Sequence, residues 1–117
     1  MITVYIAGPY TLGDVGKNVH NMLKVTDELI TLGFCPIAPL LFHYQHIFHP
    51  REYEKWMEID LELVKRSDVL LRLHGKSPGA NKEVLIAKRF GIPVVKTITE
   101  LIDKVGNGNI QRKSRPI

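Results

Sequence analysis

The stretch SDVLLRLHGKSPGANKE, residues 67–83, decides how this chain folds. Asp68 to Leu73 is a short run of mostly apolar side chains and reads as a strand buried on both faces. His74-Gly75 ends it. A helical pattern then runs from about Gly79 to Phe90, with Gly91 as its stop. Strand, short loop and helix form half of a βαβ unit, so the next question is whether the unit recurs.

It does, on both sides. Upstream, Ile2 to Ala7 is a nearly continuous β-rich run closed by Gly8-Pro9. From Val15 to Leu32 apolar residues recur at helical spacing, at Val19, Met22, Leu23, Leu29 and Ile30, and Gly33 follows. Phe34 to Ile37 is a second short strand. Leu40 to Arg51 reads as irregular, rich in His and aromatics, and a further helix spans about Glu52 to Arg66. Downstream, Pro93 to Lys96 is a fourth strand and Ile98 to Val105 a last short helix. Alternating strands and helices predict an α/β fold: a small doubly wound, flavodoxin- or Rossmann-like parallel sheet of about four strands in order 2-1-3-4. One domain over residues 1–105 is expected, followed by a basic, flexible tail over 106–117. In that order ligands bind outside the strand C-termini where the chain reverses, between Gly8-Pro9-Tyr10 and the loop from His74 to Gly79.

The bulk numbers agree with a single domain. The chain has 117 residues, 44% hydrophobic and 24% charged, as in ordinary globular proteins. No apolar run approaches the roughly 18–20 residues of a membrane span, and MITVYIAGPY reads as a strand rather than a secretory signal. A single cysteine, Cys35, excludes an internal disulfide and suits the cytoplasm. The net charge of +4 suits an anionic small molecule, and no basic stripe with interleaved aromatics points to nucleic acid.

Helical wheels at about 100° per residue expose two anomalies. On the helix before the third strand, Trp56, Met57, Ile59, Leu61, Leu63 and Val64 form an apolar arc, and Asp60 falls near its middle. On the helix after that strand, Ala80, Val84, Ile86, Ala87 and Phe90 mark the inner side, and Glu83 falls among them. An unpaired buried acid is costly, by several kcal/mol in the ionised form. Glu83 is placed in the first helical turn, where free N–H groups and the helix dipole would hold it ionised. Two inward carboxylates beside a ligand crevice suit glycosyl transfer or hydrolysis, one attacking the anomeric carbon and the other handling protons. Blander readings stand beside this one. Glu83 could be a structural helix-start acid, Asp60 could pair with Arg72 or Arg89, and Tyr10 could fill a loop rather than stack on a base. Ser77, Gly79 and the N–H groups up to Asn81 suit an anion or hydroxyl.

Two other patterns are weaker. His43, His46 and His49 stand three apart and raise a metal site, but no second cluster completes it, and no metal is expected. GDVGKN (13–18) hints at a phosphate loop and fails its pattern, with Thr11 and Asn18 at positions that need Gly and Ser or Thr.

In order and spacing, YIAGPY (5–10), Trp56-x-x-x-Asp60, SDVLLRL (67–73) and SPGANKE (77–83) running through Ala87 to GIPV (91–94) resemble the nucleoside 2-deoxyribosyltransferase-like superfamily. The resemblance covers about residues 2–96 and is closest to a branch of small phage and bacterial proteins of unknown function. It implies that Glu83 is the nucleophile that takes up the sugar and that Asp60 assists beside it. It implies that Gly8, Pro9 and Tyr10 border the nucleoside and that Ser77 and Gly79 meet its 5′ end; Asn81 departs from the family pattern and is expected to bind substrate as part of the same helix start. The expected activity is cleavage or transfer of the N-glycosidic bond of a nucleoside or nucleoside 5′-monophosphate, with no cofactor. The alternative is a non-catalytic module of the same fold that senses or sequesters nucleotides. A homodimer or higher homo-oligomer is expected, from the family and from the aromatic-rich segment Leu40–Phe48.

Overall fold

The computed structural model describes residues 1–113. Four parallel strands, β1 (Thr3–Ala7), β2 (Cys35–Ile37), β3 (Val69–Arg72) and β4 (Val94–Val95), form one sheet in the order β2-β1-β3-β4. The expected 2-1-3-4 topology is therefore present. Five helices accompany the strands: α1 (Val15–Thr31), α2 (Phe42–Phe48), α3 (Tyr53–Lys65), α4 (Pro78–Arg89) and α5 (Ile98–Gly106).

Alternation along the strands sends side chains to two separate cores. Val4 and Ile6 of β1 join Val69, Leu71 and Val95 under α1 and α5, where Met22, Leu29 and Leu101 are buried. Tyr5 and Ala7 face the other way and join Leu70 with Val64 of α3 and Ala80 and Ala87 of α4. Helices α1 and α4 start where the sequence provides caps. Asp14 accepts from the Lys17 N–H at 3.0 Å, and Ser77 accepts from the Ala80 N–H at 3.1 Å.

Two differences from the sequence reading concern the segments between and after these units. Leu40 to Arg51 is not irregular. A 3-10 turn over Pro39–Leu41 leads into α2, which has no side-chain cap and only seven residues. Such a helix leaves no capping signal and barely two turns of periodicity, and it is held by packing on its neighbours. The packed domain also continues past residue 105. Ile110 is buried in the α1/α5 core, and the Lys113 backbone N–H donates to Asp68 Oδ1 at 2.8 Å. The other carboxylate oxygen of Asp68 accepts from the Thr3 N–H at 2.7 Å. The end of the basic tail, residues 114–117, lies outside the described residues.

The loops that follow β1 and β3 interlock. Gly75 has φ near +122°, and a Cβ placed on it would lie 2.6 Å from Pro9 Cγ. Only glycine fits there. A Cβ on Gly8 would meet the Leu73 side chain at 3.1 Å, so these strand ends also approach closely.

Candidate functional site

A cavity of about 630 Å³ opens at the C-terminal ends of β1 and β3, where the sheet order reverses. Its lining includes Gly8, Tyr10, Asp60, Ser77, Gly79 and Glu83, so six of the eight residues expected at the site meet there. Both acids therefore face the same cavity, bordered by Tyr10 and Gly79. The other two do not line it. Pro9 packs against Gly75, and Asn81 is exposed, its side-chain oxygen accepting from Arg72 Nη2 at 3.1 Å. Their place is in the loop architecture rather than on the cavity wall.

Glu83 is only 5% exposed, yet it is not in the first turn of its helix. With the helix starting at Pro78, it is the sixth residue, beyond the free N–H groups. Its partner is instead the hydroxyl of Tyr5, which donates to Glu83 Oε2 from the middle of β1. Tyr5 is wholly buried, and its alternate position on β1 aims it at α4. Burial pushes the Glu83 carboxyl up to about 8. The Tyr5 hydrogen bond opposes that rise, nearby Asp60 adds to it, and the Arg72 charge works against it. The helix start therefore does not hold Glu83 ionised, as the sequence suggested. Desolvation dominates, and Tyr5 is the group that favours the charge. Tyr5 itself is driven strongly upward, first by burial and then by Glu83 and Asp60. It is a fixed donor across the working pH range.

Asp60 enters the cavity from α3, with burial pushing its carboxyl up to about 7. Its Oδ1 is shielded from solvent and has no hydrogen-bond partner among the described residues. The proposed structural pairing with Arg72 is not formed. Arg72 directs its guanidinium to the carbonyls of Leu73 and Gly75 and to Asn81, bracing the β3–α4 loop. Arg89 lies exposed at the far end of α4. A shielded acid oxygen without a partner, on a residue that lines a cavity, is a group whose hydrogen-bonding capacity is left unused by the fold. Two carboxyls raised above their usual range share protons near neutrality, so one can be charged while the other carries a proton.

Sequence reasoning left five contributors off the site. Tyr5 was legible only as part of a strand, although a buried phenol needs a hydrogen-bond partner. Trp56 and Phe42 stack with centroids 5.2 Å apart and 30° between planes, on the cavity wall. His43 and His46 line the cavity too, His43 joined through Nδ1 to the Tyr10 hydroxyl and His46 through Nδ1 to Trp56 Nε1. Their spacing by three was the available signal. His49 is exposed and does not line the cavity, and among the described residues no three acids, thiols or imidazoles converge as a metal site.

The sheet order and its flanking helices make a doubly wound fold that a solved nucleoside deoxyribosyltransferase shares. A solved structure of the 2-deoxyribosyltransferase from Bacillus psychrosaccharolyticus, described as a biocatalyst for nucleoside synthesis, superimposes with a TM-score of 0.59. The alignment covers 79% of this chain and 69% of that one, at 20% sequence identity. No functionally curated protein matches the chain. By sequence, the chain belongs to the family described as Domain of unknown function (DUF7768), which it matches over residues 2–97.

Proposed function

We infer that the protein cleaves or transfers the N-glycosidic bond of a nucleoside or nucleoside 5′-monophosphate, with Glu83 as nucleophile and Asp60 beside it. The observation that carries this reading is the pairing of two desolvated carboxyls at one cavity, one supported by Tyr5 and the other with a partnerless oxygen. In the first step a Glu83 carboxylate oxygen bonds to C1′ as the C1′–N bond breaks. The electron pair leaves with the base, and Asp60, in the minority form of the pair that carries the one proton on Asp60 rather than on Glu83, supplies the proton that neutralises it. Water or a second base then releases the sugar from Glu83. Tyr5 keeps its proton throughout and holds the attacking carboxylate in place.

Several finer readings belong to the same proposal. The 5′ end of the substrate lies toward Ser77 and Gly79, and Lys76 and Lys82 on the same rim favour a phosphate there. Gly8 and Tyr10 border the nucleoside, and Pro9 and Asn81 act through the loops they hold. The protein belongs to the small phage and bacterial branch of the superfamily and works in the cytoplasm; among the described residues no helix is long and apolar enough to cross a membrane. It assembles as a homodimer through α2, whose Tyr44, Ile47 and Phe48 are exposed, Phe48 to 75%. Light scattering on the full chain reads the assembly, and a monomer mass rejects it.

The decisive experiment is base release by chromatography over a panel of ribo- and deoxyribonucleosides and their 5′-monophosphates. The wild type should act on part of the panel. Glu83→Gln should lose about three orders of magnitude or more in rate while still binding the same compounds. A Glu83→Gln protein with wild-type rates rejects the nucleophile. A wild type that binds the panel without releasing any base is the sensing module instead.

A further inference from the structure

The roles given to Glu83 and Asp60 leave the histidines of α2 unassigned, yet His46 is set in a defined state. Trp56 Nε1 is only ever a donor, and it reaches His46 Nδ1 at 2.7 Å. The Arg51 backbone N–H is directed at the same atom, at 3.3 Å. A ring nitrogen that receives donors carries no proton, so the single proton of the neutral imidazole sits on Nε2. No described group accepts that N–H. Trp56, which sets this tautomer, is itself stacked on Phe42, and the His46 ring stands edge-on to it at 5.9 Å and 74°. All three side chains line the cavity.

A flat apolar wall beside one N–H donor that no described group accepts matches the two needs of a nucleobase. Its face stacks on aromatic carbon, and its edge offers lone pairs. We propose that His46 is the residue that selects the base, donating its Nε2–H to a ring nitrogen or carbonyl oxygen on the base edge. This rests on the reading that a nucleoside occupies the cavity. Trp56 is a positioning residue: by filling Nδ1 it excludes the tautomer that would present an acceptor to the ligand. The contact also bears on the reaction. As the C1′–N bond breaks, its electron pair moves into the base, and the atom facing His46 becomes a better acceptor. The preferred substrates are therefore bases with an acceptor on that edge.

The test uses the full chain and reads binding by calorimetry, without turnover. Nucleoside monophosphates are compared in pairs, each natural base with an isostere lacking one acceptor: 3-deaza and 7-deaza purines, and pyrimidines without the exocyclic oxygen. The wild type should bind one natural member about tenfold more tightly than its isostere. His46→Phe keeps a flat ring and removes the N–H. It should bring that ratio close to one by weakening the natural member alone. His46→Gln, whose amide N–H lies near the position of Nε2, should restore part of the ratio, and Trp56→Phe should reduce it less than His46→Phe does. Melting curves accompany each variant, and if His46→Phe does not fold, the Gln and Trp56 variants carry the test. Equal loss on both members of every pair, or a wild type indifferent to every pair, overturns the proposal. Base release that persists without discrimination overturns only His46 as the selector. Discrimination without base release overturns only the glycosyl chemistry, and a chain that binds no nucleotide overturns both.

Discussion

One face of the sheet buries Val4, Ile6, Val69, Leu71 and Val95 against α1 and α5, all of them apolar. The other face, made by the same strands, buries Tyr5, Ala7 and Leu70 against α3 and α4, and into that layer Glu83 and Asp60 project. The first face stabilises in the ordinary way, by removing hydrocarbon from water. The second trades some of that stability for groups that are uncomfortable when the cavity is empty. The small side chains Ala7, Ala80 and Ala87 bring α4 close to the sheet, which lets a strand phenol reach a helix carboxylate. The lesson is that a parallel sheet can divide its labour by strand parity: even-numbered positions of β1 hold the domain together, and odd-numbered ones prepare the site.

Substitutions on the two faces should therefore behave oppositely. The largest effect on stability is expected on the apolar face. Leu29→Ala removes a wholly buried side chain and should cost about 2–5 kcal/mol in denaturant unfolding. The rate of base release per folded molecule should not change. If that rate falls as steeply as stability, the two faces are not independent.

Glu83→Gln comes next, with the opposite sign. Folded-state burial raises Glu83 to about 8 and Asp60 to about 7, above their usual carboxylate values. Between about pH 4 and pH 8 the folded chain thus holds protons that the unfolded chain has released. Each of these acids adds stability at the low end of that window and loses it as pH rises, levelling off above about pH 8. Glu83→Gln removes one of the two. At pH 9 the variant should gain on the order of 1 kcal/mol or more over the wild type, and at pH 4 almost nothing. Melting curves at both values check it. A variant less stable than wild type at pH 9 would make Glu83 a structural acid.

Tyr5→Phe should give the smallest change, and the most specific. The core keeps its ring, and Glu83 loses the hydrogen bond that favours its charge. The bell-shaped pH–rate profile should lose height, and its alkaline limb should move upward by about one unit. An unmoved profile would reduce Tyr5 to a space-filling residue.

Much of this was readable from the chain because its signals are local. The apolar runs at 2–7 and 68–73, the glycine stops at 33 and 91 and the inward phase of Asp60 and Glu83 all follow from periodicity. What escaped depends on partners distant in sequence. The Tyr5 hydroxyl meets a carboxylate 78 residues away, and the His46 tautomer is set by Trp56 across a helix–helix turn. The phase of Glu83 was right and its depth along the helix was not: it is already the fifth residue counted from Gly79, and the sixth of α4 as it begins at Pro78, beyond the free N–H groups in both counts. Helix α2 was missed because seven uncapped residues carry too little pattern to announce themselves.

The contact between Gly75 and Pro9 has a consequence for anyone wishing to redesign this scaffold. The cavity floor looks modular, with one loop from each of two strands, and loop exchange is the usual route to new specificity on such folds. Here the two loops share a single keyhole. A transplanted β3–α4 loop with any side chain at position 75 collides with Pro9, and a transplanted β1–α1 loop without the proline leaves Gly75 with nothing to close against. The inheritable unit is the pair, and libraries that shuffle one loop alone will return mostly misassembled cavities.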